Sequence, residues 1–253
     1  MKAALAVPLT LALYVQLVVL GLISLTWCAV AALLYPLLPR ERGKAVGRAG
    51  IARVYGLFWW LAARSGMLRI ESGALDALRD ERGLIVVANH PSMLDALILI
   101  ARLPRGACIM KAELARNVFL GAGARLARYI RNDSARQLVR LAVQDLKAGG
   151  QLVLFPEGTR TTSAPVNRFR PGATTIAKLA GAPIQTVFIE SESPYLRKGW
   201  PIWRLPPLPI VYRVRLGRRF QPTRDADALL REIEQYFVAC LAAAGAHRET
   251  MTP

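Results

Sequence analysis

Two short segments carry side chains able to do chemistry. Asn89-His90-Pro91-Ser92-Met93-Leu94-Asp95 sets an imidazole five residues ahead of a carboxylate, the types needed for a base and its orienter. Pro156-Glu157-Gly158-Thr159-Arg160 sets a carboxylate and a guanidinium around a glycine. There the backbone permits close approach, and arginine offers two parallel hydrogen bonds to a phosphate. An Asp-oriented neutral imidazole takes the proton of a substrate hydroxyl as that oxygen attacks an acyl carbonyl, and no protein nucleophile is needed when the donor is a thioester. Together the segments read as transfer chemistry on a phosphorylated substrate. On one regular helix His90 and Asp95 would stand about 140° apart. The reading therefore requires His90 on a loop and Asp95 in the first turns of a helix starting near Ser92. Each segment alone has a plainer explanation, a capped helix in one case and a loop salt bridge in the other. Their ordered combination is the specific signal.

The elements that must position them are legible as alternating runs. Apolar or β-branched stretches at 84–88, 107–110, 151–155, 184–189 and 210–216 alternate with helical stretches near 93–103, 117–130, 134–148 and 172–181. A final amphipathic helix is expected from Asp225 to Ala244. This alternation predicts an α/β fold, a mostly parallel sheet flanked by helices, with ligands collecting beyond the carboxyl ends of the strands. Both chemical segments leave strands at that edge. The run 184–189 is expected to wall the pocket, and Pro-rich 201–209 to be a surface loop.

The first forty residues are of another kind. No charge interrupts Ala3 to Pro39, and the 27 residues between Pro8 and Pro36 make about 40 Å of helix, against a hydrocarbon core of roughly 30 Å. A single tilted membrane span fits, as does a helical hairpin turning near Gly21; a cleaved signal peptide fits worse. Residues 1–39 are thus expected to be a membrane anchor, 40–70 a basic linker and interfacial helix, and 71–253 the catalytic domain. Arg40, Arg42, Lys44, Arg48 and Arg53 follow the apolar segment against the lone Lys2 before it, which predicts a catalytic domain on the cytoplasmic side.

The formal net charge of +17 would suit nucleic acid, anionic lipid or acidic substrates. No nucleic-acid motif and no aromatics interleaved with the basic residues are present, so an anionic membrane surface is the expected partner. Cys28, Cys108 and Cys240 are far apart, without a CxxC pair or a nearby histidine, which speaks against a metal site or disulfides. His247, the second histidine, lies near the C-terminus.

The ordered pair NHxxxxD and FPEGTR behind an apolar N-terminus resembles the 1-acylglycerol-3-phosphate acyltransferases of the lysophospholipid acyltransferase superfamily, from about Arg48 to Phe220. The resemblance implies transfer of an acyl chain from acyl-CoA or acyl-carrier protein to the hydroxyl of a membrane lysophospholipid, without a cofactor, at the bacterial inner membrane. It makes His90 the base and Asp95 its partner, and assigns Glu157, Gly158, Thr159 and Arg160 to substrate binding. Between these motifs, Lys111-Ala112-Glu113-Leu114 matches the start of a further block. Relatives tend to continue with Tyr-Ile-x-x-Asp-Arg, but here Tyr129-Ile130-Arg131-Asn132-Asp133-Ser134 has no arginine in register. Lys111, with Arg131, Arg128 or Arg136 in place of the missing arginine, is then expected to supply the charge for the acceptor. Arg168 and Arg170 are secondary candidates. The departure leaves room for an acceptor other than lysophosphatidate, and for a binding module that has lost catalysis. A serine hydrolase lacks its G-x-S-x-G nucleophile.

Overall fold

The computed structural model describes residues 2–249, with side-chain environments from Val7 to Ala244. The side chains of Lys2 and His247 lie outside that range. In chain order the elements are α1 (Lys2–Leu37), α2 (Arg40–Arg64), β1 (Leu68–Glu71), β2 (Leu84–Ala88), α3 (Asp95–Arg102), β3 (Gly106–Met110), α4 (Gly121–Leu126), β4 (Ile130–Arg131), α5 (Ala135–Lys147), β5 (Gln151–Leu154), α6 (Gly172–Ala180), β6 (Ile184–Glu190), β7 (Ile210–Phe220) and α7 (Ala226–Glu249).

One seven-stranded sheet runs in the order β1-β7-β6-β2-β5-β3-β4, parallel throughout except for the antiparallel pair β6–β7. The expected α/β architecture is therefore present. Every residue of β2 is buried, because helices cover both faces. Leu84, Val86 and Ala88 join the cluster under α1, α2 and α3, while Ile85 and Val87 join the one under α5, α6 and α7. β1 and the two-residue β4 were not expected. Leu68-Arg69-Ile70-Glu71 is too short and too charged to stand out, and forms as an edge strand because Ile210–Arg213 at the start of β7 offer it a parallel partner.

The expected N-terminal apolar helix is present, long and apolar enough over Val7–Leu37 to cross a membrane, whereas the hairpin and the linker are not. α1 passes Gly21 without turning, so the hairpin there is not formed. It lies against the domain along its length: Tyr14 Oη donates to Trp203 O (3.1 Å), Gln16 Nε2 to Ser65 Oγ (2.6 Å), and Arg128 Nη1 to Tyr35 Oη (3.1 Å). Leu13 belongs to the same core cluster as β2. The opposite side of α1, from Val7 and Leu11 to Leu33 and Leu37, is apolar and exposed.

The basic stretch 40–50 is not a linker but the first half of α2. Gly47 permits this packing, since a Cβ there would collide with the backbone at Ala127; a Cβ at Gly50 would enter the Trp27 ring. Arg48, counted above among the basic residues that follow the apolar segment, is 4% exposed. Its Nε donates to Ala127 O (3.1 Å) and its Nη1 to Arg105 O (3.0 Å). Nη1 and Nη2 also grip the two oxygens of Asp145, at 3.0 and 2.9 Å. Removing one member of such a pair strands the other in low dielectric. Arg48→Met is expected to lower unfolding free energy by about 3–5 kcal/mol, measured by denaturant titration in detergent, whereas loss of a surface charge would lower it by well under about 1 kcal/mol.

Candidate active site

β2 and β5 are hydrogen-bonded neighbours in parallel register, Val87 opposite Leu154. The chain therefore leaves both strands at the same edge, and the two motif loops emerge side by side. Asn89 continues the sheet with its side chain: Oδ1 accepts from Ile189 N and Nδ2 donates to Ile189 O, both at 2.8 Å. This locks the first residue beyond β2 to β6 and turns the next one, His90, out of the strand.

His90 stands on the loop and Asp95 opens α3, as the spacing required. His90 Nδ1 and Asp95 Oδ2 are 2.9 Å apart. The same Oδ2 accepts the Ser92 N–H at 2.7 Å, the reach-back bond of a helix N-terminus. The carboxylate thus holds the loop leading into its helix and the imidazole at once. Asp95 is fully buried and its Oδ1 has no partner among the described residues. Burial pushes its carboxyl up to about 6, opposed by the bonds from His90 and Ser92. With Nδ1–H directed at Asp95, Nε2 is the basic nitrogen, and it has no protein partner among the described residues. The ring lies on Phe155, centroids 4.1 Å apart and planes at 18°.

The second loop is tied to the first. Glu157, 2% exposed, accepts His90 N (2.9 Å) and Thr161 Oγ1 (2.8 Å) at Oε1, and Asn167 N (2.9 Å) at Oε2. Thr161 N donates to His90 O (2.8 Å). Glu157, expected to touch substrate, spends its hydrogen bonds on protein and braces the two loops. Gly158 has φ +71, and a Cβ there would lie 2.7 Å from Arg170 Nε, so the exposed Arg170 crosses directly over this turn. Thr159 is half-buried on the same turn. Arg160 Nη1 donates to Leu196 O (2.9 Å) and Arg197 O (3.2 Å). Its Nε and Nη2 have no acceptor among the described residues.

His90, Asp95, Glu157, Gly158, Thr159 and Arg160 are thus brought together. Lys111 ends β3 at the same edge, exposed, two strand positions from β2 or about 10 Å. Arg131 is on β4, three positions and about 14 Å away, and is paired with Asp133 at 3.0 Å. Ser134 Oγ caps α5 by accepting Gln137 N. Arg168 is exposed beyond the second loop.

Sequence reasoning missed the support around Asp95. Ser92 Oγ accepts from Tyr212 Oη at 2.8 Å, so β7, five strands further along the chain, steadies the helix start. Burial raises the Tyr212 phenol and keeps it a donor. Only Ser92, a cap residue three before an acid, carried a readable signal. Asn167 and Phe155 were also unassigned; the former sits in a loop without pattern, the latter looks like an ordinary strand end.

The Acyltransferase family model matches residues 69–190, the stretch holding both loops. Among known proteins the chain is similar to a 1-acyl-sn-glycerol-3-phosphate acyltransferase of Pseudomonas aeruginosa, 25% identical over 56% of this chain and 57% of that one. It is also similar to the lysophospholipid acyltransferase LPCAT4 of Mus musculus, 30% identical over 64% of this chain and 31% of that one. The chain thus spans little more than half of the first relative and a third of the second. The solved structure of the 1-acyl-sn-glycerophosphate (LPA) acyltransferase PlsC from Thermotoga maritima has the same fold, with a TM-score of 0.71 at 24% identity, over 97% of this chain and 98% of that one. Over residues 69–190 the chain is thus similar to the Acyltransferase family, and over nearly its whole length it has the fold of that solved structure.

Proposed function

We propose that the protein is a membrane-attached O-acyltransferase that moves an acyl chain from a thioester, acyl-CoA or acyl-carrier protein, to the hydroxyl of a lysophospholipid. The observation that carries this is the Asp95-held imidazole with its second nitrogen unengaged, beside a loop whose arginine keeps donors to spare. His90 Nε2 takes the hydroxyl proton as the oxygen bonds to the thioester carbon; the C–S bond then breaks, and the proton passes to the leaving sulfur. Asp95 stabilises the imidazolium formed on the way. Arg160, with Lys111 along the same edge, offers the cations for the acceptor's phosphate.

The relatives named for lysophosphatidate and for other lysophospholipids frame the acceptor class. An acceptor other than lysophosphatidate is favoured by one feature: the position where relatives tend to have arginine is Ser134, used here as a helix cap, while Arg131 is turned to Asp133. Attachment would be through the exposed apolar side of α1. Its contacts from Tyr14 to Tyr35 suit a helix entering the bilayer by its outer face with the domain alongside, on the cytoplasmic side of the inner membrane.

His90→Ala is expected to reduce transfer of radiolabelled acyl groups to a panel of lysolipids by about 10²–10⁴, with folding and membrane association intact. Full activity in that variant would overturn the assignment. Turnover of any acceptor by the unaltered protein removes the binding-only reading.

Asp95 predicts a pH dependence. Its carboxyl titrates near 3.8 when solvated and near 6 in the fold. The folded protein therefore binds more protons between these values, and stability falls as pH rises through the window. Activity runs the other way, vanishing as pH drops below about 6 and the imidazole loses its acceptor. Asp95→Asn should keep or raise Tm at neutral pH while cutting turnover by about 10²–10⁴; a parallel loss of Tm and activity would make Asp95 merely structural.

A further inference from the structure

A cavity of about 650 Å³ lies at the open edge of the sheet, and neither His90, Asp95, Glu157 nor Arg160 lines it. β4 covers β3 only at Ile109 and Met110. Beside this short strand, the end of α1, the start of α2, α4 and the length of α5 wall the space.

Five cationic side chains line it, Arg40, Lys44, Arg125, Arg128 and Arg131, against Glu41, Asp133 and Asp145. All three carboxylates are engaged: Asp145 by Arg48 and Lys44, Glu41 by Lys44, Asp133 by Arg131. Arg125 and Arg128 pair with no carboxylate among the described residues. Both stand over the Tyr35 ring, with Cζ at 6.0 and 4.9 Å from its centroid. Arg128 holds φ +57, a left-handed conformation that non-glycine residues rarely adopt and that is strained. Its Nε and the Tyr129 hydroxyl are buried without a partner. Uncompensated guanidinium charge, with the Arg128 Nε unused, suits an anion with several acceptor oxygens, and a phosphoryl group is one.

The surroundings decide what carries the phosphate. Leu33 and Leu37, 70% and 74% exposed, flank Tyr35 at the end of the apolar outer face of α1. A headgroup in the cavity would leave acyl chains to run along that face, which a water-soluble phosphate could not use. We infer that this cavity binds the phosphate of an anionic membrane phospholipid, as a site separate from the catalytic one. The inference rests on the membrane attachment proposed above and not on acyl transfer.

The test uses the full chain, transferred from detergent to vesicles of phosphatidylcholine, alone or with phosphatidylglycerol, and read by flotation. The cavity variant combines Arg125→Ala with Arg128→Gly, since glycine accepts the left-handed backbone. The control combines Arg136→Ala with Arg140→Ala, exposed on α5 and outside the cavity lining. The cavity variant is expected to lose about 30-fold in preference for phosphatidylglycerol, as two basic residues near an anionic surface are worth, and to keep its binding to phosphatidylcholine. The control should retain most of the preference. Arg125→Ala alone, at an exposed position, should lose about fivefold, and Tm measurements confirm that each variant is folded. Equal losses in both pairs would assign the effect to diffuse charge and overturn the site. Coenzyme A abolishing the preference only when Arg125 and Arg128 are present would give the cavity to a soluble phosphate instead. Flotation with neither vesicle would remove the membrane attachment and this site together, while leaving the His90 assay untouched.

Discussion

The buried carboxylate of Glu157 joins two loops that are 67 residues apart in sequence, and the geometry of the site follows from it. A carboxylate at 2% exposure is tolerated only when its oxygens are matched by donors. Here His90 N, Thr161 Oγ1 and Asn167 N provide them. The parallel register of β2 and β5 brings the loops within reach, but register alone leaves their backbones free to diverge past the strand ends. Bonding the His90 amide to Glu157, and the Thr161 amide back to the His90 carbonyl, fixes the segment that carries the imidazole. The ring then rests on Phe155, a residue of the partner loop. The loops that carry His90 and Arg160 are thus fixed side by side by one carboxylate.

A second constraint acts through Asp95. One oxygen serves both the loop amide at Ser92 and the imidazole, so the orientation of the ring is coupled to the start of α3. Ser92 is in turn held by Tyr212 from β7. The polar chain Tyr212–Ser92–Asp95–His90 runs through a largely apolar cluster, and its histidine end is the part-exposed one. The unpartnered Oδ1 and the raised carboxyl pKa have the same origin: burial that excludes water from all but the bonded oxygen. Such a carboxylate is stabilised by imidazolium more than by neutral imidazole, which is the charge change a general base undergoes.

The sequence made the centre of the sheet legible and its margins obscure, for physical reasons. β2 and β5 are unbroken apolar runs because helices bury both faces, and nothing else explains such runs ending in polar turns. β1 and β4 lack that signature, since edge strands are specified by partners distant in the chain. The His90–Asp95 pair could be inferred from spacing, because a loop followed by a helix start is the arrangement that lets five residues close on themselves. Glu157 was legible as important but not as a brace, since its partners are two backbone amides and a hydroxyl that no pattern announces. Arg48 shows the reverse error. Five basic residues after an apolar segment look alike in composition, yet one of them turns inward because Gly47 lets α2 approach the backbone at Ala127 and brings its guanidinium to Asp145.

That inward turn also changes what the apolar segment can be. A helix tethered by a flexible linker would transmit nothing to the domain beyond proximity. α1 instead contributes Leu13 to the cluster that contains Leu94, Ile98 and the β2 side chains, and Trp27 fills the grooves left by Gly50 and Gly123. The apolar outer face and the His90 loop therefore rest on opposite ends of one continuous core. Because close-packed interiors transmit displacement rather than absorb it, the membrane attachment proposed above would tie the depth of the outer face of α1 to the height of the imidazole. An acceptor that keeps its acyl chain in the bilayer presents its hydroxyl at a fixed height too. Under that proposal the α1–core packing would match the two heights, with the motif loops held in place by Glu157.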